Sequence, residues 1–139
     1  MHTPVDDQHE ICRALCSEVS LRPLNDQSYL VTTPFSFPDG DQFSLHVSRL
    51  ASGGWRLSDR GLTFMRLSYD HDVDRLRDGA RGRIFEQILG EMGIADDEGE
   101  LTIEVRADRL GEGVFRLGQA LTRVHDLTFL DRVQVESTF

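Results

Sequence analysis

Lysine is absent from this sequence, and all fifteen cations are arginine. Selection for guanidinium forks at an interface would show as clustering, so a total replacement points to compositional bias in the coding sequence. Cysteine is scarce: Cys12 and Cys16 are the only two, too few for the disulfide framework of a small secreted domain. Long apolar runs are missing, and no stretch approaches the ~20 residues that a bilayer-crossing helix needs. Met1 to Glu10 is acidic and polar, with neither a basic leader nor an apolar core. No secretory signal is therefore visible, and the cytoplasm is the default compartment. No two histidines fall at metal-ligand spacing and no serine sits in a nucleophile elbow, so no metal, cofactor or catalytic residue is assigned.

The 139 residues, 39% apolar and 28% charged, fit one folded domain over 1–139, with 1–5 and 132–139 expected to be loose. The net charge of −9 repels nucleic-acid phosphates at long range and favours solubility.

Periodicity predicts an α+β fold, an antiparallel meander with about four helices in a single layer on one face. Ile11, Cys12, Leu15, Cys16 and Val19 lie at helical spacing, which predicts a first helix over 5–18 with both cysteines on its buried stripe. Pro23 and Asn25-Asp26 mark a turn. Tyr29, Val31, Thr33 and Phe35 alternate as a strand, Pro38 to Asp41 makes a hairpin turn, and Phe43, Leu45 and Val47 resume the alternation. After Ser52-Gly53-Gly54, Trp55 and Leu57 open a strand expected to end the sheet. Leu62, Met65 and Tyr69 then predict a helix, capped by Asp59. A helix follows over 80–92 with Gly93 as its stop, then an acidic turn and a strand on Leu101, Ile103 and Val105. Asp108 is expected to cap a last helix bearing Leu110, Val114, Leu117, Leu121 and Val124. Val133 and Val135 permit an edge strand.

Four constellations bear on chemistry. Asp70, Asp72 and Asp74 fill the first positions of a calcium loop, but Arg75 and Arg81 stand where glycine and glutamate belong. Gly111 and Gly113 lie in a helical pattern, so they read as close-packing positions rather than a phosphate loop. Arg75, Arg77, Arg81 and Arg83 form the one local concentration of positive charge. They read either as surface arginines paired with Asp70, Asp72, Asp74 and Asp78, or as an anion site. Asp96, Asp97, Glu98 and Glu100 form an acidic cluster that could present a negative face to a partner. His125 lies at a helix end, where histidine is electrostatically favoured.

The segments Thr33 to Asp41 and Trp55-Arg56-Leu57-Ser58-Asp59-Arg60-Gly61, with Gly99-Glu100-Leu101 and Gln119 to Thr122, resemble the bacterial and phage family catalogued as domain of unknown function 1828. Members usually carry a second acidic residue or glycine where Arg60 stands, so this chain departs from the pattern there. The resemblance implies a phage- or mobile-element setting and supplies no catalytic residues. Asp59 reads as a helix cap or as an acid, base or ligand at the sheet's end.

The leading expectation is a non-enzymatic protein that binds another protein through an acidic surface, as an inhibitor, immunity or regulatory protein. The alternatives are an enzyme acting on an anionic substrate with Asp59 and nearby arginines such as Arg60, or a nucleic-acid-binding regulator using Arg75, Arg77, Arg81 and Arg83. No cofactor and no membrane association are expected.

Overall fold

A computed structural model describes residues 3–37 and 39–130 of the chain. The expected tail strand on Val133 and Val135, and Pro38 of the hairpin turn, lie outside the described residues.

Helix α1 (Pro4–Ser17) leads into strands β1 (Ser20–Asn25), β2 (Ser28–Ser36), β3 (Gln42–Arg49) and β4 (Trp55–Ser58). Helices α2 (Leu62–Leu67), α3 (Val73–Leu76) and α4 (Gly79–Met92) follow. Strands β5 (Ala95–Asp97) and β6 (Glu100–Val105), helix α5 (Leu110–Asp126) and a 3-10 turn (Leu127–Phe129) are the last elements of the described residues. The six strands form one antiparallel sheet in the order β1-β2-β3-β4-β6-β5, so the architecture is α+β. No helix of the described residues is long and apolar enough to cross a membrane.

Alternation decides which face is buried. Val31, Leu45, Val47, Leu57 and Ile103 share the inner face, in register across four strands, and all five are buried. Removing such side chains from water is the main stabilising term, roughly 1.5–3 kcal/mol each. Helix α5 covers this face with Leu117, Ala120, Leu121 and Val124, all buried. Two of its glycines allow the close approach: a Cβ at Gly118 would run into the Phe35 ring, and one at Gly113 would meet Leu57 at 3.1 Å.

Four sequence expectations change. β4 does not end the sheet; it lies between β3 and β6, because the chain returns from α4 to lay β6 along its free edge. Pro23 sits inside β1 rather than in a turn. An edge strand tolerates it, since the missing N–H can face solvent. Asp108 lies in a 3-10 turn (Ala107–Arg109) ahead of α5 and accepts no capping hydrogen bond from its first turn. Finally, α1 buries no residue, so Cys12 and Cys16 are exposed thiols rather than core. Its start is nonetheless well made: Thr3 and Asp6 form a reciprocal capping box before Pro4.

Candidate functional site on the rim formed by the second helix

The corner between β4 and α2 is built around one carboxylate. Asp59 continues the inward parity of Trp55 and Leu57 and is 2% exposed. Its Oδ1 accepts from the amides of Gly61 at 2.8 Å and Leu101 at 2.9 Å, and its Oδ2 accepts from Thr63 at 3.3 Å. One side chain thus caps the entry to α2 and ties it to β6, forty-two residues later. Burial pushes this carboxyl above the usual range, and the amides of Leu101 and Gly61 pull it back. Such a saturated carboxylate is placed to hold a turn rather than to exchange protons with a substrate.

The turn it holds runs through two consecutive left-handed residues, Arg60 at φ 56° and Gly61 at φ 74°. A non-glycine residue there costs on the order of 1 kcal/mol. Its amide donates to Ser58 Oγ at 2.9 Å, and its guanidinium rests against the imidazole of His46 at 2.9 Å. Ser58 Oγ in turn donates to Glu100 at 2.7 Å, and Arg56 approaches the same carboxylate at 3.6 Å. His46, Arg56, Ser58 and Glu100 therefore form a polar strip across the sheet face opposite to Leu57 and Ile103. Burial, then the Arg60 charge, lowers the His46 pKa.

Beyond this strip, α2 runs along the rim of the sheet. It buries Thr63, Phe64 and Leu67, which leaves Leu62, Met65 and Tyr69 exposed, Tyr69 by 74%. The expected helix is present but ends at Leu67, so Leu62 and Met65 form its outer face and Tyr69 lies exposed in the turn that follows. The short helix carries two apolar faces, and the Phe64–Leu67 pair wins the core by stacking Phe64 edge-on to Phe85 at 5.6 Å.

The outer row walls an open groove of about 600 Å³ with Thr32, Phe37, Gln42, Ser44 and Arg66. A second depression, about 250 Å³, lies on the other side and is lined by Leu67, Asp70, His71, His125, Thr128 and Phe129. Arg66 and Phe37 line both and divide them. The guanidinium sits 3.8 Å from the ring centroid and is pinned by Asp39 at 2.8 Å and Asp41 at 3.0 Å. These two depressions with their shared partition are the candidate site.

The model of the Domain of unknown function DUF1828 matches residues 33–124. The chain belongs to that family. No curated protein and no solved structure matches it. The DUF1828 match begins within β2 and ends within α5. It takes in α2 and the Trp55–Gly61 corner, and leaves α1 and β1 outside.

Within the DUF1828 domain the other sequence-selected residues are placed as follows. Arg77 forms an ion pair with Asp96 and lies over the Phe64 ring, 4.6 Å from its centroid. That bond holds the Asp96 carboxyl below its usual range, and Asp96 Oδ1 also accepts from the Gly99 amide at 2.9 Å. Both residues are thus structural stitches between α3 and β5. Arg75 pairs with Asp72 at 3.6 Å, and Arg81 donates to the Leu130 carbonyl at 3.1 Å. Arg83 is exposed on α4. The arginines are therefore turned to different partners and do not converge on one point. Asp97 and Glu100 face each other across the β5–β6 hairpin, with Glu98 at its tip in a left-handed conformation of φ 51°. The acidic cluster is a hairpin end beside α2, where a side chain at Gly99 would meet Phe64 at 3.7 Å.

Sequence reading missed Phe37, Arg66 and Phe129. His125 does lie in the last turn of α5 as expected, but it points inward: the residue is 4% exposed, packed edge-on to Phe37 at 4.8 Å and stacked on Phe43 at 5.5 Å. Burial lowers its pKa, so it is neutral rather than a charge partner of the helix dipole. The signal for the rim was the second apolar row on α2, surplus to what a two-turn helix can bury.

Proposed function

We propose that this DUF1828 chain is a non-enzymatic protein-binding module whose docking surface is the α2 rim, extended by the acidic β5–β6 hairpin. The observation that carries the reading is the outward row of Leu62, Met65 and Tyr69 beside two open depressions. Exposed Tyr69 beside the Arg66 partition supplies two residue types that dominate binding hot spots, and Met65 is of a type enriched at interfaces. The net charge of −9, with Asp97, Glu98 and Glu100 next to the rim, favours a partner of positive charge through steering and complementarity. An inhibitor or immunity protein of a phage, mobile-element or defence setting, presenting this acidic face to a basic site, is the narrower form of the proposal. A nuclease or toxin gene adjacent to this one would support it.

The reading of Asp59 as an acid–base residue has less support, because its oxygens are taken by backbone amides. The reading of Arg75 to Arg83 as a nucleic-acid surface is weakened by their divergent partners. The test is affinity capture from the native host with the wild type and with Met65→Asp. A stoichiometric protein retained by the wild type and lost from a folded M65D supports the proposal; no such partner, or one indifferent to M65D, overturns it.

A further inference from the structure

One residue lining the smaller depression, His125, carries a buried ring nitrogen that packing alone leaves unexplained. His125 Nδ1 lies 2.9 Å from the Leu121 carbonyl, four residues back along α5. A carbonyl only accepts, so the proton must be on Nδ1, and neutral imidazole then presents Nε2 as a bare acceptor. Among the described residues nothing donates to that nitrogen. A buried acceptor without a donor costs roughly 1–3 kcal/mol, and replacing the imidazole by an apolar ring would avoid that cost.

The surroundings state what the donor should look like. Phe37 and Phe129 are aromatic walls, and Phe129 is 68% exposed at the mouth. Asp39 and Asp70 bring carboxylates, His71 a second imidazole and Thr128 a third residue with an oxygen. The one cation in the wall, Arg66, is already neutralised by Asp39 and Asp41. Aromatic faces, carboxylates and an unprotonated imidazole nitrogen all favour a cation that carries N–H donors. About 250 Å³ admits the end of one long side chain and excludes a folded element. The smaller depression shares the Phe37–Arg66 partition with the larger groove walled by Leu62, Met65 and Tyr69, so the two are neighbours.

We infer that the depression between Phe37, Asp70, His125 and Phe129 is an anchor pocket for a lysine or arginine side chain of the protein that docks on the α2 rim. The inference rests on the proposed protein-binding function and specifies the partner's chemistry at one point. The cationic head enters past Phe129, pairs with Asp70 and donates an N–H to His125 Nε2, while its methylene stem lies on Phe37 and Leu67.

The test uses the full chain labelled with 15N, following the imidazole nitrogens of His125 while n-butylammonium or methylguanidinium is added. Tetramethylammonium serves as a cation without N–H donors and butyrate as an anion. The expected result is a saturable shift of Nε2 with at least one of the first two probes and none with either control, weakened several-fold in Asp70→Asn. Asp70 is exposed, so that variant folds. A His125 signal unmoved by both N–H cations, moved equally by tetramethylammonium, or indifferent to D70N overturns the pocket. A host partner lost with Met65→Asp but held undiminished by Asp70→Asn overturns the anchor while leaving the docking surface standing.

Discussion

Asp59 concentrates at one residue what elsewhere takes several. Two of its three amide donors, Gly61 and Leu101, share Oδ1, while Thr63 uses Oδ2. Asp59→Ala is expected to lower stability by roughly 2–4 kcal/mol, a lost cap plus an orphaned buried amide. Asp59→Asn keeps one acceptor oxygen and removes a desolvated charge, so it should cost less than alanine. Chemical denaturation of the two variants checks the order; an asparagine variant as unstable as the alanine one would contradict it. His125 supplies the pH dependence. Its folded pKa lies below the ordinary 6.5, through burial first; Arg66 lowers it further, and Asp126 and Asp59 oppose. The unfolded chain therefore takes up the proton first as pH falls, and stability is lost progressively below about 6.5. The buried imidazole carries most of this slope; His46, shifted the same way but largely solvated, adds little. Melting temperatures between pH 7.5 and 5 should fall, and should fall less in His125→Phe. Equal slopes would remove His125 as the cause.

Among the elements, strands and long helices were legible because their side chains repeat with one period over enough residues. Val31, Leu45, Leu57 and Ile103 declare one face by simple alternation. In α5, Leu117, Leu121 and Val124 do the same at helical spacing. The failures fall where a pattern is amphipathic but its burying surface lies elsewhere. The stripe of α1 has helical periodicity and no sheet beneath it. The row of α2 competes with Phe64 and Leu67 for a core that holds one face. Periodicity reports that a face is apolar; only topology reports whether another layer meets it. The candidate site was illegible for the same reason, since Phe37, Arg66 and His125 meet through tertiary contacts between residues far apart in the chain. The packing of α5 on β2 offers a sharp check. Gly118→Ala places a methyl where the Phe35 ring lies and should cost about 1–3 kcal/mol by overpacking, although alanine is the better helix former. A neutral or stabilising result would show that Phe35 can move aside.

Taken whole, the molecule divides into a sheet-and-helix body and an appended α1. The described part of α1 buries nothing and lies outside the span matched by the family. Removing residues 1–17 should leave the melting temperature within about 3 °C, well under what loss of a packed helix would shift. In the intact chain, both thiols should react with a water-soluble disulfide reagent without denaturant, since both are exposed. Slow or partial labelling would mean that α1 is covered in solution.

The position of β4 also governs the order of assembly during synthesis. The ribbon β1-β2-β3-β4 joins neighbours in sequence, so each strand finds its partner as soon as it emerges. The next position waits for residues 100–105, which arrive only after the α2–α4 excursion. Until then one edge of β4 offers unpaired amides and carbonyls, and Asp59 lacks its Leu101 donor. A nascent chain halted near residue 95 thus carries an open strand that a neighbouring chain could pair with. Release of β6 from the exit tunnel is the event that closes the sheet.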